Sequence, residues 1–166
     1  MNYLKASEYY NRSIFIWLLI ITAMVLAIII IGGLTRLTDS GLSMTDWRPL
    51  LGIIPPLNED NWQSVFEMYK ITPEYKIVNK NMTLEDFKYI FWWEWFHRFF
   101  ARVIGILFII PLIYFIIRNQ LTYNLYIRLA IVFAFGIFQA FVGWWMVKSG
   151  LSENPYVSPY RLTFHL

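Results

Sequence analysis

Residues Ile14 to Ile31 read IFIWLLIITAMVLAIIII, an uncharged and almost wholly apolar run. At about 1.5 Å of rise per helical residue it crosses most of a ~30 Å hydrocarbon core. A cleaved signal peptide is the competing reading, but the run exceeds a signal core, and Gly32-Gly33-Leu34-Thr35-Arg36 matches a small-x-small cleavage site poorly. Two further apolar runs follow, Phe99 to Ile117 broken by Arg102, and Leu125 to Val147 with Arg128 near its start and Gln139 inside. Hydrophobic residues make up 58% of the chain, aromatics 20% and charged residues 15%, outside the range of ordinary soluble domains.

The expected fold class is therefore all-α: a polytopic membrane protein, an antiparallel helix bundle with a partly helical outer loop. The first transmembrane helix is placed at about 14–34, the outer loop at 35–90, the second helix at about 91–117 and the third at about 125–147. After Ser158-Pro159-Tyr160, residues 161–166 read as the opening turn of a fourth helix, and the expectation is a truncated chain. Pro111 inside the second helix reads as a packing kink.

Lys5 and Arg12 flank the first helix, and Arg118 and Arg128 bracket the short acid-free connection between the second and third. Both segments are expected on the cytoplasmic or matrix side, with the amino terminus. The segment 35–90 then lies outside. Its aromatic residues, Trp47, Trp62, Phe66, Tyr69, Tyr75 and Phe87, mark it as folded rather than disordered. Asn58 followed by Glu59 and Asp60 opens a short helix with Trp62, Phe66 and Tyr69 on one face. Thr83-Leu84-Glu85-Asp86 opens another, which runs without a breaker into the second transmembrane helix.

The chain has no cysteine, so no disulfide staples the loop and no thiolate serves as ligand or nucleophile. A net charge of +3, spread over membrane flanks, offers no basic cluster for nucleic acid. The lipid bilayer is the expected surrounding partner.

His97 and His165 are the chain's two histidines, and each sits at the outer end of a helix. For a lone histidine the plain reading is a hydrogen-bonded residue at the interface. A pair at one membrane face favours axial ligation of a haem iron between helices. Zinc or copper would need further ligands, and only Glu94 and methionines lie nearby. Glu94 lies three residues before His97, on a neighbouring position of one helical face. Ala101 and Gly105 continue the His97 stripe with small residues, which leaves room for a flat macrocycle or a neighbouring helix. Arg98 and Arg102 are charges at or inside a span, and two readings stay open. They pair with haem propionates, or Arg98 reaches the headgroups while Arg102 pairs with Glu94 or a backbone carbonyl.

Gly32-Gly33-Leu34-Thr35-Arg36-Leu37-Thr38-Asp39-Ser40-Gly41-Leu42-Ser43-Met44, then Trp47-Arg48-Pro49 and Gly52-Ile53-Ile54-Pro55-Pro56-Leu57, resembles the first outer loop of the haem A synthase family. Pro73-Glu74-Tyr75, Asn79, Met82, the run Phe87 to Arg98 and the run Val157 to Leu166 resemble the same family in order and spacing. The resemblance implies a membrane oxidoreductase that oxidises a ring methyl of haem O to the formyl group of haem A, for assembly of haem-A-type cytochrome oxidase. It implies that residues 1–166 form the amino-terminal four-helix half of an eight-helix protein in a bacterial inner or mitochondrial inner membrane. His97 and His165 would be axial ligands of the haem iron, Glu94 catalytic, and Arg98 and Arg102 haem-binding. Haem O would be the substrate in this half and haem b the cofactor of the other. Haem O synthase and an unidentified redox protein would be the partners. Two departures matter. The loop lacks the cysteine pair of some bacterial members, and Ala101 stands where many members have glycine. The competing class is a non-catalytic haem b electron-transfer subunit built on the same histidines. A transporter half finds little support, because no span carries paired glycine or proline interruptions.

Overall fold

The computed structural model describes residues 11–45, 53–152 and 154–166. Lys5 of the first flank, and Trp47, Arg48, Pro49 and Gly52 of the loop motif, lie outside the described residues. Among the described residues all regular structure is helical: α1 (Arg12–Leu37), α2 (Glu59–Lys70), α3 (Pro73–Ile77), α4 (Leu84–Ile117), α5 (Tyr123–Gly150) and α6 (Pro159–His165). α1, α4 and α5 are each long and apolar enough to cross a membrane. The chain is an integral membrane protein.

Helices α1 to α5 each begin where the sequence supplies a side-chain cap. Asn11 accepts from the Ser13 and Ile14 amides, Asn58 from Asn61 at 2.8 Å, and Thr122 from Leu125 at 3.3 Å. At α4 the Thr83 hydroxyl and the Asp86 carboxylate cap each other's backbone amides, closing a capping box. No glycine or β-branched cluster then interrupts α4 before the membrane. At 34 residues it is about 50 Å long, so its first turns stand clear of the hydrocarbon.

The helices pair as two antiparallel hairpins. α1 runs against α4, with Gly32 beside His97, Trp17 beside Phe108 and Phe115, and Asn11 bonded to Gln120 at 3.4 Å. α5 runs against α6 through three rungs. The Gln139 amide donates to the His165 carbonyl, Arg161 donates to the Trp145 carbonyl at 2.8 Å, and the Ser158 amide donates to Ser149 Oγ at 2.9 Å.

Two buried clusters join α1, α4 and α5 at one end and α2 and α4 at the other. Toward the short α4–α5 turn, Ile14, Trp17, Ile21, Phe108, Phe115 and Leu129 form a core, with Phe108 stacked on Phe133 of α5 at 6.2 Å between ring centroids. At the opposite end Trp62, Phe66 and Tyr69 of α2 pack on Phe87, Ile90 and Phe91 of α4. Residues such as Ile29, Ile110 and Phe135 stay exposed, a surface suited to hydrocarbon rather than water.

Proline 111 is more than a kink. It has no N–H, so the Leu107 carbonyl one turn earlier loses its intrahelical donor. Trp17 Nε1 of α1 donates to that carbonyl at 2.8 Å. The defect in α4 thereby becomes a specific contact with α1.

Candidate functional site

At the end of the bundle that carries the long connection, each hairpin contributes one histidine. His97 sits on the fourth turn of α4 and faces α1; His165 closes α6 and faces α5. The two imidazoles lie within electrostatic range of one another. Nδ1 of each ring is buried and makes no hydrogen bond. Two unpartnered buried imidazole nitrogens are costly, and among the described residues every other buried side-chain nitrogen or oxygen has a hydrogen-bond partner.

Among the described residues Glu94 is the most buried acid, 2% exposed. Its Oε2 accepts from Ser43 Oγ at 2.7 Å and from the Met44 amide at 2.8 Å, and its Oε1 accepts from the Arg98 guanidinium. Charge and hydrogen bonds are thus both matched, the condition for a carboxylate to stay in a dry interior. The same bonds tie the turn after α1 to α4. Ser43 Oγ reaches the Ser40 carbonyl, and Leu42 packs where a side chain on Gly150 of α5 would otherwise stand.

Arg98 also donates to the Met44 carbonyl at 3.4 Å. Arg102 donates to the Arg98 carbonyl at 2.8 Å, the backbone-carbonyl arrangement. The structure brings Glu94, Arg98, Ser43 and Met44 into one network, and places His97 beside it on the same helix.

A second buried carboxyl stands above this network. Glu74 accepts from the Tyr69 hydroxyl at 2.9 Å, and Tyr69 in turn accepts from Asn79 Nδ2 at 2.8 Å. Burial pushes the Glu74 carboxyl up to about 7, the Tyr69 hydrogen bond opposes the rise, and repulsion from Glu94 and Asp39 adds to it. Burial, with the neighbouring Glu74 charge, likewise pushes the Tyr69 phenol up.

No group of three or more histidine, cysteine, aspartate or glutamate side chains that could hold a metal ion occurs among the described residues. A bare zinc or copper ion therefore lacks a ligand set here. Two imidazoles, each with an unpartnered buried Nδ1, fit a group that brings its own equatorial ligands, as a haem does.

Residues 15–166 match the COX15-CtaA family, described as cytochrome oxidase assembly protein. The chain belongs to this family.

Among curated relatives, this family member is 52% identical over 156 residues to a protein named heme A synthase from Nitrosospira multiformis, covering 94% of this chain and 44% of that one. It is 50% identical over 158 residues to one so named from Flavobacterium psychrophilum, covering 94% and 47%. It is 43% identical over its full 166 residues to one from Parvibaculum lavamentivorans, 48% of that chain. The chain spans less than half the length of these relatives. No solved structure matches it.

The sequence suggests His97, His165, Glu94 and Arg98 as site residues, and it does not show what surrounds them. Ala101 is exposed, and a side chain on Gly105 would meet nothing within 4 Å, so no described helix packs closely on the small stripe beneath His97 on α4. The close approach comes from Gly32 on the opposite helix, and at His165 from Gly143. The available signal was a glycine inside each helix, where glycine is the costlier choice.

Proposed function

We propose that this chain is the amino-terminal four-helix half of a haem A synthase, an oxidoreductase converting haem O to haem A for haem-A-type cytochrome oxidase. His97 and His165 would hold the iron of a bound haem O. When bound, that haem supplies the redox-active iron and the ring methyl that becomes the formyl group. A haem b, haem O synthase and a redox partner belong to the whole protein. The observation that carries this reading is the pairing of two imidazoles from two hairpins, each with an unpartnered buried nitrogen, in a chain of this family.

The chain's own residues then have separable tasks. Neutral imidazoles keep both nitrogens available for ligation or donation. Glu94, one turn before His97, would be the proton acceptor beside the bound haem; with two bonds on Oε2 and one on Oε1, it keeps a lone pair on Oε1 for a proton. Arg98 holds the carboxylate against desolvation while the site is dry, and with Arg102 it would supply positive charge for haem propionates. Ser43 and Met44 fix the carboxylate to the turn after α1, so α1, α4 and α5 keep their spacing through the reaction.

Glu94→Gln in the whole protein tests the assignment through the haem A to haem O ratio of extracted haem. The expected result is retained haem and about 10²-fold or more less haem A. Ser43→Ala, which removes a tether but leaves the acid, is expected to lose less. Normal haem A in Glu94→Gln overturns the proton-transfer role. Bound haem with no haem A made even by the unaltered protein favours the electron-transfer subunit.

A further inference from the structure

A ligand histidine is ordinarily aimed by a hydrogen bond on its second ring nitrogen, which sets both tautomer and orientation. Neither histidine has that device here, since Nδ1 of each ring is buried without a partner. Something else must hold the rings. A methyl group placed on Gly32 of α1 would lie 3.1 Å from Cε1 and 3.5 Å from Nδ1 of His97. One placed on Gly143 of α5 would lie 2.9 Å from Cε1 and 3.4 Å from both nitrogens of His165.

These glycines are not there for backbone freedom. No described glycine has a positive φ, and both sit in the interior of a helix, where alanine would be the more stable residue. What glycine provides at these positions is the missing Cβ. The helix backbone comes up against the imidazole edge that lies between its two nitrogens. The arrangement is repeated: the first helix of each hairpin offers one glycine to the histidine of the second. Gln139, one turn before Gly143, adds a bond to the His165 carbonyl and fixes the backbone from which the ring projects.

We propose that Gly32 and Gly143 are the positioning residues of the haem site, seats that orient His97 and His165 by packing in place of a hydrogen bond to Nδ1. The inference rests on the two histidines being haem ligands. An added methyl meets the mobile end of a side chain, so the imidazole moves and the helices stay. The 2.9 Å approach leaves less slack than the 3.1 Å one, so Gly143→Ala displaces its histidine further than Gly32→Ala does. A methyl on Gly33 or on Gly136 meets nothing within 4 Å, which makes these two the matched controls on the same helices.

The test uses the whole protein, purified in detergent and titrated with haem b, with ferric low-spin absorption and electron paramagnetic resonance as readouts. The low-spin component lost in both His97→Ala and His165→Ala defines the signal of this site. Gly143→Ala is expected to convert that component to high spin, or shift its resonance, and to weaken haem binding by about 10-fold or more. Gly32→Ala does so to a smaller degree, and Gly33→Ala and Gly136→Ala leave it in place. Should Gly143→Ala fail to fold, Gly32→Ala against Gly33→Ala decides. An unchanged component in Gly32→Ala and Gly143→Ala overturns the seats while the histidine ligation stands. If neither histidine variant loses a component, the haem-ligand reading falls, and the seats with it.

Discussion

At the residue scale, the polar side chains at the loop end divide by how their burial is compensated. Glu94 is buried with a guanidinium, a hydroxyl and an amide around it, whereas Glu74 has a phenol and two repelling carboxylates. Glu74 is therefore the group whose charge the fold resists. Its ordinary value is 4.5 and its folded value about 7. Below pH 4.5 it is neutral in both states and costs nothing. Between 4.5 and 7 the unfolded chain ionises first, so the packing of α2 and α3 weakens as pH rises, and above about 7 the loss levels off. The full effect is about 3 kcal/mol at most for that shift. Hydrogen exchange of the α2 and α3 amides is expected to quicken over this window, and Glu74→Gln, which still accepts from Tyr69, to flatten the dependence. Exchange independent of pH in the parent, beyond the intrinsic chemistry of amides, would count against a buried proton on Glu74. Little of this was legible in the sequence, because whether an acid is buried with or without partners depends on residues far along the chain. Glu94 meets Ser43 and Met44 across some fifty positions.

At the element scale, local rules went far. The caps Asn58 and Thr83, and the spacing of Trp62, Phe66 and Tyr69, predict α2 and the start of α4 as they are found, because both depend on neighbours within one or two turns. α3 and the extension of α1 to Leu37 were not anticipated, the first because five residues carry little periodicity. Pro111 shows the limit of a local rule. Sequence identifies the missing donor, and only the fold shows that Trp17 supplies a replacement. Trp17→Phe should therefore cost about 1–3 kcal/mol, since it leaves the Leu107 carbonyl without a donor in a dry site. In Pro111→Ala, where the helix regains its own N–H, the same change should cost less. A double-mutant cycle read by unfolding in detergent measures the difference, and strict additivity would rule out the replacement.

At the scale of the whole molecule, two hairpins meet at one end to bring a histidine from each within electrostatic range. We place that end outside the cytoplasm or matrix, from the arginines at the opposite turn. The absence of cysteine from the chain makes this simple to test. In intact cells a membrane-impermeant maleimide is expected to label Asn81→Cys, and to label Gln120→Cys after permeabilisation alone; the reverse pattern would invert the topology. Three spans, the membrane environment and the identities of the histidines followed from sequence by itself, because hydropathy and helix periodicity are properties of contiguous residues. Which residues surround those histidines was decided by tertiary structure. A ring's neighbours lie on the opposing helix, so the roles of Gly32, Gly143 and Ser43 emerge when α1 is laid against α4 and α5 against α6, and backbones approach to the distance that a missing Cβ permits.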